Sequence, residues 1–355
     1  AALANERAKP VAFAIERIAP MGELTLFTGA GSAGKSLLAQ QLCTVAAAAT
    51  GSIGGIANCL GLAVKAGPAI YLTCEDSAEH LHFRQERLCE ALHVPMASLA
   101  NHLHLVSLRG ELNNEIEQCD PKGVYSPAAA YHRLANTIRA TGATLVALDN
   151  VAHLFAGNEN DRHDVTRFVN LLNRLARDTG AAILLIGHPP KSSNPTAVTH
   201  DYSGSTAWLN AVRSQFKIDT PRDSDGSVLD RDARVITIGK ANYAPKGDAI
   251  AFRWHNWAFV RDDDLPADTR AELAEVIKAN GENAAFLACL AKATEQGVNV
   301  SHASSAGNYA PKIFTKMPTA KGIKAKGFEA AMHRLLHLGH IRASENVFQY
   351  PNRTW

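Results

Sequence analysis

The sequence predicts an α/β protein: a mostly parallel sheet with helices on both faces, followed by a smaller C-terminal α+β unit. Three observations carry this. Apolar strands alternate with helical runs, as ELTLFT, PAIYLTCED, TLVALDN and AAILLIGH each border one, which is the pattern of a βαβ series. The runs LVAL and AILLI are continuously apolar rather than alternating, as strands covered on both faces must be. A glycine-rich turn, Gly29-Ala30-Gly31-Ser32-Ala33-Gly34-Lys35-Ser36, stands between a strand and a helix.

Taken in order, residues 1–20 are expected to be a lead-in punctuated by Pro10 and Pro20, and residues 21–262 the α/β core. ELTLFT and the helix SLLAQQLCTVAAAA flank the glycine-rich turn. PAIYLTCED is a buried strand ending in two acids, with the helix AEHLHFRQERLCEAL behind it and HLHLVS as a third strand. The helix AAAYHRLANTIRATG leads into TLVALDN. VTRFVNLLNRLARDTG places apolar residues at i, i+3, i+4 and i+7 and feeds AAILLIGH. QFKIDT, RVITIGKA and IAFRWH are expected to pair in hairpins toward the sheet edge. Asp262-Asp263-Asp264 with Pro266 marks a polar boundary, and residues 270–355 form a second unit. There KAKGFEAAMHRLLHLGHIRA reads as a helix ended by Gly339 and then a short strand, with FQYPNR as a return strand. Helices followed by a small β wing suggest a winged-helix-like unit.

A length of 355 residues suits one large domain and one small one. The formal charge of +2 says nothing of partners, but its distribution does. Residues 301–355 hold eight Lys/Arg against Glu329 and Glu345, a net of +6, which leaves −4 for the rest of the chain. Such asymmetry is the footprint of a nucleic-acid-facing module, with Lys321, Lys324 and Lys326 as its candidate DNA contacts. No stretch of 18 apolar residues occurs, so no membrane partner is expected. The six cysteines include no Cys-x-x-Cys pair, as expected of free thiols in the cytoplasm.

The turn matches G-x-x-x-x-G-K-[ST] in the strand–turn–helix setting its mechanism requires. Gly29 and Gly34 let the backbone curl so that the N–H groups of Gly29, Ala30, Gly31, Ser32, Ala33 and Gly34 point at the phosphates of a nucleoside triphosphate. Leu37 lies on the first helical turn, whose dipole adds to the attraction. Lys35 supplies a cation to the β and γ phosphates, and the Ser36 hydroxyl can ligate Mg²⁺. Asp149 closes TLVALD as the Walker B carboxylate for the same ion. Glu75 ends its strand as the candidate general base for the attacking water. Asp76 is the rival, although its position suits a helix N-cap. His188 ends AILLIGH, where a polar group can sense the γ-phosphate.

LTLFTGAGSAGKSLLAQQL, AIYLTCEDSAEHLHFRQ, LVALDN, AAILLIGHPPK and SGSTAWLNAVRSQ follow one another in this order. Together, over about residues 20–260, they resemble the RepA-type branch of RecA-fold hexameric ATPases, relatives of the DnaB-like replicative helicases of plasmids and phages. The resemblance implies a RecA-like core in a ring of six copies, ATP and Mg²⁺ at the subunit interfaces, single-stranded DNA in the channel, and a primase or initiator protein as a further partner. It makes Glu75 the catalytic base and His188 the link between nucleotide state and the DNA loops. It makes Arg213, in LNAVRSQ, an arginine finger for the neighbour's site. Taken by itself, Arg213 is a basic residue near a predicted strand, of a kind usually found at the surface. Lys240, in GKANY, matches a second basic group near the γ-phosphate. Two polar segments fit channel loops, AGNENDRHD (156–164) with Arg162 and PPKSSNPTAVTHDYSGS (189–205) with Lys191. The chain departs from the pattern at Asn150, where a small hydroxyl residue is common, and at Gly187, where relatives often carry a second histidine. The expected function is an ATP-hydrolysing, DNA-translocating replicative helicase of a mobile element. The alternative is an ATP-switched DNA-binding or helicase-loader protein without unwinding activity.

Overall fold

Apolar runs of five or six residues become the central strands of a nine-stranded sheet. The structure, a computed structural model, describes residues 7–8, 10–50, 56–187, 206–223, 226, 228, 230–243 and 249–343. His188, Lys191, the rest of the 189–205 loop and FQYPNR lie outside the described residues. The chain divides into two units, residues 1–221 with 232–264 and residues 222–231 with 265–355.

In the first unit β1 (Phe13–Ile15) and β2 (Ala19–Pro20) precede β3 (Leu24–Gly29) and α1 (Lys35–Ala48). Next come β4 (Ile56–Cys59), β5 (Leu62–Lys65), β6 (Ala69–Thr73), α2 (Ala78–Ala91) and β7 (Leu103–Ser107). A small hairpin, β8 (Glu117–Cys119) and β9 (Tyr125–Pro127), leads to α3 (Ala129–Thr141) and β10 (Leu145–Asp149). Then follow α4 (Val151–Leu154), α5 (Arg162–Thr179), β11 (Ala182–Gly187) and α6 (Thr206–Ala211). The unit closes with β12 (Ser214–Asp219), β13 (Ala233–Ala241), β14 (Ile250–His255) and β15 (Ala258–Val260).

The main sheet runs β7-β6-β10-β11-β3-β12-β13-β14-β15. Strands β7 to β12 of that order are parallel, and the last three are antiparallel. Part of the expected lead-in is structured, since β1 and β2 join β5 and β4 in a second, four-stranded sheet. The alternation of side chains along each strand splits the core in two. Tyr71, Ala147, Leu184 and Ile186 face the α1 side with Leu38, Leu42 and Phe216. Ile70, Val146, Leu148, Ile183 and Leu185 face the α3–α5 side with Phe168, Leu172 and Trp208. Helix α5 follows its pattern closely: Val165, Phe168, Val169, Leu172, Leu175 and Ala176 are buried, Asp161 caps the start, and Gly180 ends it at φ 74°.

The second unit packs α7 (Ala267–Glu295), α8 (Ala310–Phe314) and α9 (Ala325–His337) around Phe286, Phe314 and Phe328. The short strand expected after Gly339 does not form over the described residues 340–343. Gly339 turns left-handed at φ 71°, and the His340 N–H returns to the Leu335 carbonyl at 2.9 Å. The chain thereby folds back under the end of α9 and packs Ile341 on the helical core instead of extending. No helix among the described residues is long and apolar enough to cross a membrane.

Candidate nucleotide site

The carboxyl ends of β3, β11, β10 and β6 lie side by side, with Gly187 level with Thr28, and Asp149 level with both Ile186 and Thr73. Ligands of such sheets bind beyond these ends. The glycine-rich loop leaves β3 there, with Ala30, Gly31 and Ser32 exposed at its crest and Ala33 and Lys35 buried. Gly34 has φ 96°, and a Cβ on it would lie 2.5 Å from the Phe259 ring, so only glycine fits. At Gly29 a Cβ would come within 2.5 Å of the Ile218 carbonyl oxygen on the neighbouring strand β12. Gly34 is also the N-cap of α1 and makes no side-chain cap hydrogen bond, and amides at such a helix start suit an anionic group. Lys35 Nζ donates to the Gly29 and Ala30 carbonyls at 2.7 and 2.9 Å, tying the helix start to the loop start. Burial lowers the Lys35 pKa, while the nearby charges of Asp149 and Glu75 work to raise it. Leu37 packs on the core below the loop.

Asp149, Tyr71 and Thr73 are odd-numbered strand residues, and this parity turns Tyr71 and Asp149 to the α1 side. The Tyr71 hydroxyl donates to Asp149 Oδ2 at 2.6 Å, and the Ser36 side chain bonds the same carboxylate. Burial raises the Asp149 pKa above the usual carboxylate range. Asp149 Oδ1 is buried and has no hydrogen-bond partner. An orphaned carboxylate oxygen beside a serine hydroxyl fits Mg²⁺, which takes one or two protein oxygens and completes its shell with water and phosphate. When bound, the ion neutralises charge on the phosphate oxygens.

Because burial disfavours the charged form of Asp149, its stabilising contribution without ligand is greatest at low pH and is lost as pH rises through the raised pKa. Asp149→Asn is therefore expected to keep or raise the melting temperature of the ligand-free protein at pH 8, while Mg²⁺-dependent hydrolysis falls at least about 100-fold. Scanning calorimetry and phosphate release read the two effects, and a clear fall in melting temperature would contradict the buried-charge account.

Glu75 stands half-exposed just past β6. The Asn150 amide donates to Glu75 Oε1 at 2.6 Å, while Asn150 Oδ1 caps α4 by accepting from the Ala152 N–H at 3.0 Å. His153 Nε2 lies 3.9 Å from the same Glu75 oxygen. Asn150, at which the sequence departs from the family pattern, thus orients the candidate base. Asp76 is not the N-cap of α2. Ser77 takes that place by accepting from the His80 N–H, and Asp76 is instead paired with Arg84 at 2.6 Å.

Strand register separates the other candidates from this chain's own loop. Arg213 is exposed and precedes Ser214, which pairs with Thr25, four positions before Gly29. Lys240 pairs with Gln215 at the level of Leu26, and its Nζ donates to the Leu209 carbonyl at 2.7 Å. At about 3.3 Å per residue both lie toward the opposite end of the sheet. Arg162 is exposed in the first turn of α5, so the segment 156–164 is partly helical. Lys324 and Lys326 are exposed at the start of α9, whereas Lys321 is paired with Asp223 at 2.7 Å. Arg234 of β13 escaped the sequence reasoning: it donates through Nε to the Ala33 carbonyl at 2.9 Å and braces the loop from across the sheet. Nothing local to RVITIGKA signals this, because the contact spans 201 residues of chain.

Residues 1–194, more than half of the chain, match the family model described as an AAA domain. No curated protein matches the chain.

Proposed function

The chain belongs to the AAA-domain family of P-loop ATPases, and from that premise we propose that it is a DNA-dependent motor: a RepA-type ring of six copies that hydrolyses ATP while moving along single-stranded DNA, as the replicative helicase of a mobile element. Within each copy Lys35 and the loop amides hold the triphosphate, Ser36 and Asp149 hold Mg²⁺, and Glu75, oriented by Asn150, takes the proton of the attacking water. The observation that carries the ring is the position of Arg213. It is exposed, and the register sets it away from its own phosphate loop, so its charge is available to the site of an adjacent copy, where it stabilises the γ-phosphate in the transition state. Lys240 joins it there. Lys191, Arg162 and His188 are assigned to the DNA channel and its coupling.

Arg213→Ala is expected to abolish hydrolysis and spare ATP binding. Mixing it with Lys35→Ala subunits should restore part of the activity, because some sites then combine an intact loop with an intact finger. A mixture as inactive as its components would remove the shared site. Strand displacement by the wild-type hexamer tests the helicase reading separately.

A second reading has its own support. Lys324 is the N-cap residue of α9, without a capping side-chain bond, and Lys326 follows in the first turn. Positive charge at a helix N-terminus opposes the dipole, and a phosphate group relieves both. This favours an ATP-switched duplex binder or loader. ATP turnover indifferent to single strands, together with duplex binding lost in Lys324→Ala/Lys326→Ala, would select it over the motor.

A further inference from the structure

Beside the phosphate loop three large aromatic side chains stand in solvent. Phe83, Trp257 and Trp254 are 50%, 43% and 36% exposed. They nevertheless form one cluster, packed edge to face, with ring centroids 5.3 Å apart at 89° for Phe83–Trp257 and 6.1 Å apart at 70° for Trp254–Trp257. Phe83 comes from α2 and the tryptophans from the β14–β15 hairpin.

Both flanks of this cluster are joined to the nucleotide site. Trp254 pairs across the hairpin with Phe259, the residue whose ring covers Gly34. Gln41 of α1 holds the Phe259 backbone by its N–H at 2.8 Å and by its carbonyl at 2.7 Å. On the other flank Arg84, next to Phe83, lies 5.7 Å from the Tyr71 ring centroid, and Tyr71 donates to Asp149.

The hairpin turn adds an independent observation. Asn256 and Trp257 both have left-handed backbones, at φ 46° and 69°. This is the two-residue turn that Asn-Gly fills best, and a bulky aromatic residue is strained there. Packing on Phe83 and Trp254 covers only part of Trp257, which stays 43% exposed. A strained residue that presents an aromatic surface beside a phosphate site points to a ligand.

We propose that Phe83, Trp254 and Trp257 form the base-binding face of the nucleotide site and take the purine ring of the nucleotide whose phosphates rest on Gly29–Ser36. The proposal rests on the nucleotide reading of that loop. A flat purine stacks on one of these rings and meets the edges of its neighbours, with no covalent chemistry.

The test uses the full-length chain and Trp257→Gly, a change that creates the favoured Asn-Gly turn and is expected to preserve the melting temperature. The Kd for Mg-ATP should rise about 10-fold, while the Kd for inorganic tripolyphosphate stays the same. In the wild-type chain, ATP should quench tryptophan fluorescence and tripolyphosphate should not. Phe83→Leu, which leaves the hairpin untouched, should weaken ATP binding selectively in the same way. Unchanged ATP affinity in both variants, or equal loss for both ligands, would overturn the base face and leave the phosphate loop standing. Failure of the wild-type chain to bind either ligand would overturn the loop reading and this proposal with it.

Discussion

Glu75→Gln is expected to leave ATP bound and unhydrolysed, with turnover down about 1000-fold. The amide keeps the size of the carboxylate, and its oxygen can still accept the Asn150 hydrogen bond that holds Glu75 at 2.6 Å. Only the basicity is lost. Glu75 is suited to the role because it is half-exposed, beyond the end of β6 and in reach of water, whereas Asp76 is committed to Arg84 at 2.6 Å. Filter retention of labelled ATP alongside phosphate release measures both halves of the expectation. Near-normal phosphate release would take the base role away from Glu75.

Lys35→Ala is expected to weaken Mg-ATP binding at least about 100-fold, since hydrogen bonds to charged groups contribute about 1.5–3 kcal/mol each. The lysine has two functions here. Its Nζ links the Gly29 and Ala30 carbonyls to the start of α1, and its charge lies near both Asp149 and Glu75. Removing it leaves two loop carbonyls without this donor and two carboxylates without this cation. The triphosphate then meets a net negative site. Calorimetric titration with Mg-ATP reads the loss, and hydrolysis at the wild-type rate in Lys35→Ala would refute the assignment of the loop. The contrast with Glu75→Gln is diagnostic, because one variant fails to bind and the other binds without turning over.

Much of this site was legible in the chain because the physics there is local. A strand, a glycine-rich turn and a helix start lie within a dozen residues, and Gly29, Gly34, Lys35 and Ser36 act on one another through the backbone between them. Asp149 and Glu75 were legible as acids at the ends of apolar strands, beyond which ligands bind. The role of Asn150 was not, since a residue type carries no record of which carboxylate its amide will meet. Nor was the small β1-β2-β4-β5 sheet: its strands are two to four residues long, too short for periodicity to declare them. The short strand expected after Gly339 does not form over residues 340–343, where the helix C-cap turns the chain back.

The sequence by itself determined the phosphate loop, the two-faced apolar strands and the identity of the acids. Only the tertiary structure decided their assembly. Strands β10 and β11 come between β6 and β3 in the sheet, so Glu75 and Asp149 reach the loop by crossovers whose order no local signal encodes. The same strand order sets Arg213 at the far end from its own loop, brings Arg234 to Ala33, and carries the Phe259 ring onto Gly34. Strand order is settled by which apolar faces cover one another across a hundred residues or more. Each side chain's direction follows simple parity within its strand, but its partner does not.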